Sequence, residues 1–217
     1  MIPEIYPRKL PQAILFDWDQ TLVDNWRVIH KSINITRKAL GLSELSSDEY
    51  WSRPHQSTRD AGEDLFGKQF EEGERLFYAS VEKVHLLDLK SLEGADAMIQ
   101  YLKKRGIYLG IVSNKTGYIL RKEVEHLGWQ SHFHKVIGSR DTEEDKPSPI
   151  PVHTALEDSA TQASHNVWFV GDSMIDVSCA RASGCVPVVV GDGEASKQKN
   201  IIHAKNCMGL ANLIKSL

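Results

Sequence analysis

The sequence predicts an α/β fold, a doubly wound parallel sheet carrying a helical insert near its N-terminal end. Three observations support this. Short apolar runs at Ala13–Phe16, 108–112, 167–170 and Val186–Val190 read as buried strands. From Leu92 onward such runs alternate with helical periodicity, as in a parallel sheet with helical crossovers. Between residues 24 and 90 only helical periodicity is visible. The expected division is therefore a core of residues 1–23 and 91–217, with residues 24–90 as a helical cap.

The first strand runs into Asp17-Trp18-Asp19-Gln20-Thr21. Two carboxylates two residues apart at a strand end point to the same side and repel unless a positive charge lies between them. A hard divalent cation with oxygen ligands meets that need, and Mg²⁺ is the usual one where phosphate is handled. The pair suggests a carboxylate nucleophile beside a carboxylate acid/base acting on a phosphoryl group. Trp18, between them, is expected to point away from the site, into the core or under the cap. By itself the stretch is of modest specificity, because short apolar strands ending in Asp are common.

The insert follows, with apolar residues at helical spacing at Trp26, Ile29, Ile33 and Leu40, then around Leu65, Phe66 and Phe70, and at Leu76, Phe77 and Val81. Residues 51–59 form a polar, proline-broken connection between helices. Arg53, His55 and Arg59 in it are candidates to hold a carboxylate or second phosphate on the leaving group. The competing reading is a solvated turn.

The core resumes with a helix at Ala95–Lys104, whose Met98, Ile99 and Leu102 are apolar, and with the strand at 108–112, which ends in Ser113-Asn114-Lys115. A hydroxyl and a backbone N–H there can hold a phosphate oxygen; alone the stretch is a turn signal. A helix over 117–127 follows. His132 and His134 would share a face on a strand, read as a polar edge and not a metal site. In Asp145-Lys146-Pro147, the proline pushes Lys146 out of helical geometry and suits the start of a helix. A lysine fixed there offers a point charge to phosphate and aspartate. The strand at 167–170 ends in Gly171-Asp172-Ser173, where Gly171 permits a tight turn and Asp172 is placed to complete a metal site. Asp176, four residues on, falls on the same side once a helix has begun; helix capping is the competing reading for Ser173 and Asp176. Leu210, Leu213, Ile214 and Leu217 mark a final amphipathic helix. Ligands of open parallel sheets bind outside the carboxyl ends of the strands, and three strands here end in phosphate-competent residues.

Asp17, Asp19 and Thr21, then Ser113-Asn114, Lys146-Pro147, and Gly171-Asp172-Ser173 with Asp176 resemble, in order and spacing, the four motifs of the haloacid dehalogenase-like hydrolase superfamily. Residues 92–191 are most similar to its phosphoglycolate phosphatase subgroup. The resemblance implies a Rossmann-like core and a Mg²⁺-dependent phosphatase. By it, Asp17 attacks phosphorus and forms an aspartyl-phosphate, and Asp19 protonates the leaving oxygen and later activates water. Ser113 holds a phosphoryl oxygen, with Thr21 and backbone N–H groups near Asn114 beside it, while Lys146 offsets charge. Mg²⁺ is held by Asp17, Asp172 and the carbonyl of Asp19, and Asp176 is either an outer ligand or orients Lys146. An acid at Asp19 argues against dehalogenation, since halide needs no proton on leaving. Gln20 departs from the glycine usual in these relatives, so its turn uses either ordinary angles or strained ones. Phosphoglycolate is the first candidate substrate; a sugar-phosphate mutase and a phosphate-binding regulator without turnover are the alternatives.

Composition bounds the rest. The 217 residues carry 26 basic and 29 acidic side chains, a net charge of −3 with no basic stripe, which argues against nucleic acid as a partner. No apolar run is long enough to span a membrane and the start does not resemble a signal peptide, so a cytoplasmic protein is expected. Cys179, Cys185 and Cys207 lack metal-ligand spacing and are expected to be reduced and structural. Oligomeric state is not legible in the sequence.

Overall fold

The computed structural model describes residues 9–53, 56–87 and 89–217. Its strands are β1 (Ala13–Phe16), β2 (Val23–Asp24), β3 (Lys90–Ser91), β4 (Tyr108–Thr116), β5 (Lys135–Ser139), β6 (Val167–Gly171), β7 (Val186–Val190) and β8 (Ile202–Ala204). Its helices are α1 (Trp26–Ala39), α2 (Ser47–Trp51), α3 (Thr58–Phe66), α4 (Phe70–Val84), α5 (Ala95–Lys104), α6 (Gly117–His126), α7 (Ile150–Leu156), α8 (Met174–Ala182) and α9 (Cys207–Lys215).

Six strands form one parallel sheet in the order β5-β4-β1-β6-β7-β8. β1 lies between β4 and β6, in register Phe16 to Ile111 and Phe16 to Val170. The chain leaves β1 towards one edge and later returns to the other, so the crevice at the carboxyl end of β1 is the switch point where ligands of such sheets bind. All four residues of β1 are buried because both sheet faces are covered. Ile14 and Phe16 pack with α5, α6 and α9, through Met98, Leu102, Leu120 and Leu210. Ala13 and Leu15 pack with α7 and α8, through Val152, Ala155 and Ala180. Trp18 points away from the crevice, as expected. It is fully buried and meets Trp129 edge to face at 5.8 Å between ring centroids.

Residues between β2 and β3 form α1 to α4 around their own core, which includes Ile33, Leu65, Phe66, Phe77 and Val81, with Ile119 of α6 joining it. Gly73 of α4 lets that helix close onto Phe66, whose ring carbon would lie 2.5 Å from an added Cβ. The expectation of no strand over 24–90 needs one correction. β2 and β3 pair antiparallel where the insert leaves and rejoins the sheet, a ribbon of two residues a side and too short to leave a periodic signal. His132 and His134 also differ from expectation. They precede β5, and His134 stacks on Tyr108 at 4.3 Å. All three cysteines are buried and free, and no described helix is long and apolar enough to cross a membrane.

Candidate active site

Asp17, one residue past β1, meets Asp172, one residue past β6, and Asp176 in the first turn of α8; an oxygen from each lies within 4.8 Å of the others. Lys146 reaches in from the loop before α7. Its Nζ lies 2.7 Å from Asp17 Oδ1 and 2.7 Å from Asp176 Oδ1. Asp176 Oδ2 accepts from Ser173 N at 3.0 Å and from Ser173 Oγ at 2.6 Å. Both Asp176 oxygens are thus engaged within the chain. Of the two roles left open for it, orienting Lys146 matches this geometry, and it caps α8 as well. Gly171 is required for close approach and not for a left-handed turn, because an added Cβ would lie 2.2 Å from the Asp176 carboxyl carbon.

Three carboxylates against one ammonium leave this corner two negative charges in excess. Burial drives the Asp17 carboxyl upward; Lys146 opposes this and Asp176 adds to it, leaving its pKa at about 7. Burial, then Asp176 and Asp17, holds Asp172 well above the usual carboxylate range. Burial alone would depress Lys146, but Asp17 and Asp176 carry it above its ordinary value. A divalent cation relieves such an excess, and an all-oxygen donor set is what Mg²⁺ prefers. The residues therefore fit that ion, with the carboxylates of Asp17 and Asp172 the ones not already committed to capping.

Asp19 lines the same pocket as Asp17 and is held by Asn25 Nδ2 at 2.6 Å and Lys115 Nζ at 2.8 Å. Lys115 also contacts Glu123 Oε2 at 2.7 Å. Glu123 is fully buried and further accepts from Trp18 Nε1 at 2.6 Å and pairs with His85 Nδ1 at 3.0 Å. Burial would lower the Lys115 ammonium; Asp19 and Glu123 raise it instead. Sequence reasoning passed over Asn25, Lys115, Glu123 and His85 as a unit. One signal was available, since Glu123 interrupts the apolar stripe of Ile119, Leu120 and Val124 on α6.

The remaining candidates divide. Ser113 and Asn114 border the same pocket as Asp17, Asp19 and Lys146. The Asn114 side chain exchanges hydrogen bonds with the Lys146 backbone, Nδ2 donating to its carbonyl at 3.1 Å and Oδ1 accepting from its N–H at 3.0 Å. Thr21 is fully buried and donates to Asp172 Oδ1 at 3.3 Å. Gln20 takes the strained alternative, with φ of 60°. Arg53 reaches the pocket wall and is ion-paired with Asp64. Arg59 is not brought to the pocket. It pairs with Asp145 and donates to the Thr142 and Glu143 carbonyls, clamping α3 to the loop that carries Lys146. His55 lies outside the described residues.

Comparison with known proteins places this arrangement. The family model for haloacid dehalogenase-like hydrolases matches residues 14–190. The phosphoglycolate phosphatase of Chromobacterium violaceum is 30% identical over 194 residues, covering 85% of this chain and 86% of that one. That of Aquifex aeolicus is 29% identical over 178 residues, covering 80% and 81%. A solved hydrolase of the haloacid dehalogenase superfamily from Ehrlichia chaffeensis is 32% identical, with a TM-score of 0.70 over 97% of this chain and 99% of that one. With the match running from β1 through β7 and the acidic crevice at its centre, the chain belongs to the haloacid dehalogenase-like hydrolase family.

Proposed function

We propose that this phosphatase hydrolyses a small phosphorylated metabolite through an aspartyl-phosphate on Asp17, with Mg²⁺ bound. Its family and the phosphatases similar to it support the reaction class. The observation that carries the mechanism is the placement of Asp17 against Lys146 and Asp172, with Asp19 held by its own partners in the same pocket.

In the first step an Asp17 oxygen attacks phosphorus and the ester P–O bond breaks. The leaving oxygen takes a proton from Asp19, which Asn25 and Lys115 hold at the pocket wall. In the second, Asp19 removes a proton from water as that water attacks phosphorus, releasing phosphate and restoring Asp17. Lys146 supplies positive charge beside the transferring group and is fixed on its far side by Asp176. Ser113, within β4 and bordering the pocket, holds a phosphoryl oxygen. Mg²⁺, held by Asp17, Asp172 and the Asp19 carbonyl, would neutralise charge on phosphate and on the carboxylates. Residues 24–90 act as a cap that covers the crevice and excludes water.

The names of the relatives make phosphoglycolate the first ester to assay. Phosphate release from a panel of phosphoglycolate, sugar phosphates, nucleotides and pyrophosphate, with Mg²⁺ or with EDTA, tests the reading. Release that needs Mg²⁺ and falls at least ~10³-fold in Asp17→Asn supports it. Release unaffected by that substitution would sink the aspartyl-phosphate route.

A further inference from the structure

The cavity over Asp17 measures about 170 Å³ and its two ends differ in chemistry. One end carries Asp17, Asp19, Ser113 and Lys146. The other reaches between α1, α3, α4 and α6, where its wall is Ile29, Ile33, Leu65, Phe77, Val81 and Ile119. Five of these six are among the most buried side chains of the insert's core, yet they border space continuous with the catalytic acids. Trp26 and Tyr50, stacked at 6.4 Å, form an aromatic rim.

Several polar groups towards that end are already matched to one another. Thr58, Tyr78 and Thr116 share hydrogen bonds through the Tyr78 hydroxyl. Each described cation on the wall faces a carboxylate of the chain: Lys146 faces Asp17 and Asp176, Lys115 faces Asp19 and Glu123, and Arg53 faces Asp64. A leaving group bearing a carboxylate or a second phosphate would have to compete with Asp64 for Arg53. An uncharged apolar group meets carbon on several sides and gains by leaving water. An apolar cavity of about 150 Å³ takes up benzene; the 170 Å³ here includes the catalytic end, so the apolar group beside the phosphoryl group is at most one aromatic ring.

We infer that the preferred ester has an uncharged leaving group with an apolar portion of at most one ring, seated between α1, α3, α4 and α6 while the phosphoryl group lies on Asp17. This rests on the phosphatase reading of the site and selects among its substrates, disfavouring phosphoglycolate.

The test compares 2-phenylethyl phosphate, ethyl phosphate and phosphoglycolate on the whole protein with Mg²⁺. The first two release primary alcohols of similar acidity and differ by the ring. With a factor of about four per buried methylene, kcat/KM for the phenylethyl ester should exceed both others at least tenfold. Ile29→Trp, at a half-buried position, should bring the phenylethyl-to-ethyl ratio towards one, and Val81→Phe does so from the deeper end. A wild-type preference for phosphoglycolate would overturn the inference and leave the phosphatase reading standing. Calorimetric binding of the same esters to Asp17→Asn separates the two further. If no ester is turned over but the phenylethyl ester still binds at least tenfold more tightly, the pocket assignment holds and the catalytic reading fails. Equal binding overturns the pocket assignment whatever the turnover.

Discussion

Gln20 holds φ at 60°, where a side chain crowds the following carbonyl at a cost of about 1 kcal/mol. Its Nε2 is buried without a hydrogen-bond partner among the described residues, so the side chain returns little for that strain. Gln20→Gly should therefore raise the urea midpoint with unchanged slope, a gain in stability of up to about 1 kcal/mol. A lower midpoint would mean the side chain's packing outweighs the strain. Glu123 is the opposite case, an acid with no exposure and three donors around it. Burial alone would raise its carboxyl, but Lys115, His85 and Trp18 hold it below the ordinary range. A depressed carboxyl stabilises the fold above its unfolded value of 4.5, and that contribution is lost as pH falls through the folded value. Glu123→Ala should cost about 3–5 kcal/mol at neutral pH, because Trp18, His85 and Lys115 lose a buried acceptor. Its deficit relative to wild type should shrink in acid. Thermal melts of both proteins at pH 7 and pH 4 check the magnitude and the sign. Asp17, Asp19, Lys146 and Asp172 were legible as motifs because each closes an apolar strand or adjoins a proline. Glu123 was not, because its partners lie 8, 38 and 105 residues away in sequence.

At the scale of elements, β1, β6, β7 and the first half of β4 could be read directly, because strands covered on both faces leave continuous apolar runs. But β4 runs on to Thr116 through Ser113-Asn114-Lys115, whose polar side chains read as a turn and where the register shifts. β8 has three residues with an exposed His203 between two buried neighbours, and β5 has two half-buried ones, so neither stands out from a turn. The polar connection at 51–59 illustrates a different limit. Its composition suits a substrate reader, but Ser57 there caps α3 by accepting from Asp60 N, and Arg59 in the first turn reaches the buried Asp145. No local pattern names a partner 86 residues on. The Asp145 carboxyl would rise on burial; Ser57, Arg59 and Ser139 bring it below the usual range instead. Arg59→Ala should consequently destabilise the chain by about 1–3 kcal/mol through the buried carboxylate it strands. It should leave the ranking of ester substrates unchanged. Steady-state kinetics on acidic and neutral esters decide this: a rise in KM of tenfold or more confined to acidic esters would make Arg59 a substrate contact after all.

At the scale of the whole molecule, the sheet order gathers three acids and one lysine at a single crevice, and folding must accommodate their repulsion. Asp17 and Asp172 both bind protons more tightly in the folded protein than in the unfolded chain, Asp17 with a pKa of about 7 against an ordinary 3.8. A raised folded value means that the stabilising contribution is complete below the unfolded value and disappears as pH climbs through the folded one. In EDTA, this crevice should therefore lower the melting temperature progressively between pH 4 and about 7. A divalent cation binds the ionised carboxylates and not the protonated ones, so it opposes that loss by mass action. The melting temperature with Mg²⁺ minus that with EDTA should be small at pH 5 and largest near pH 8. Asp172→Asn should flatten the difference, since it removes one donor and one repelling charge together, and should raise the melting temperature in EDTA at pH 8. Should the Mg²⁺ increment be the same at both pH values and survive that substitution, the cation would be bound elsewhere on the molecule. The charge of Asp17 would then be offset by Lys146, and Asp172 held by Thr21, with no cation between them.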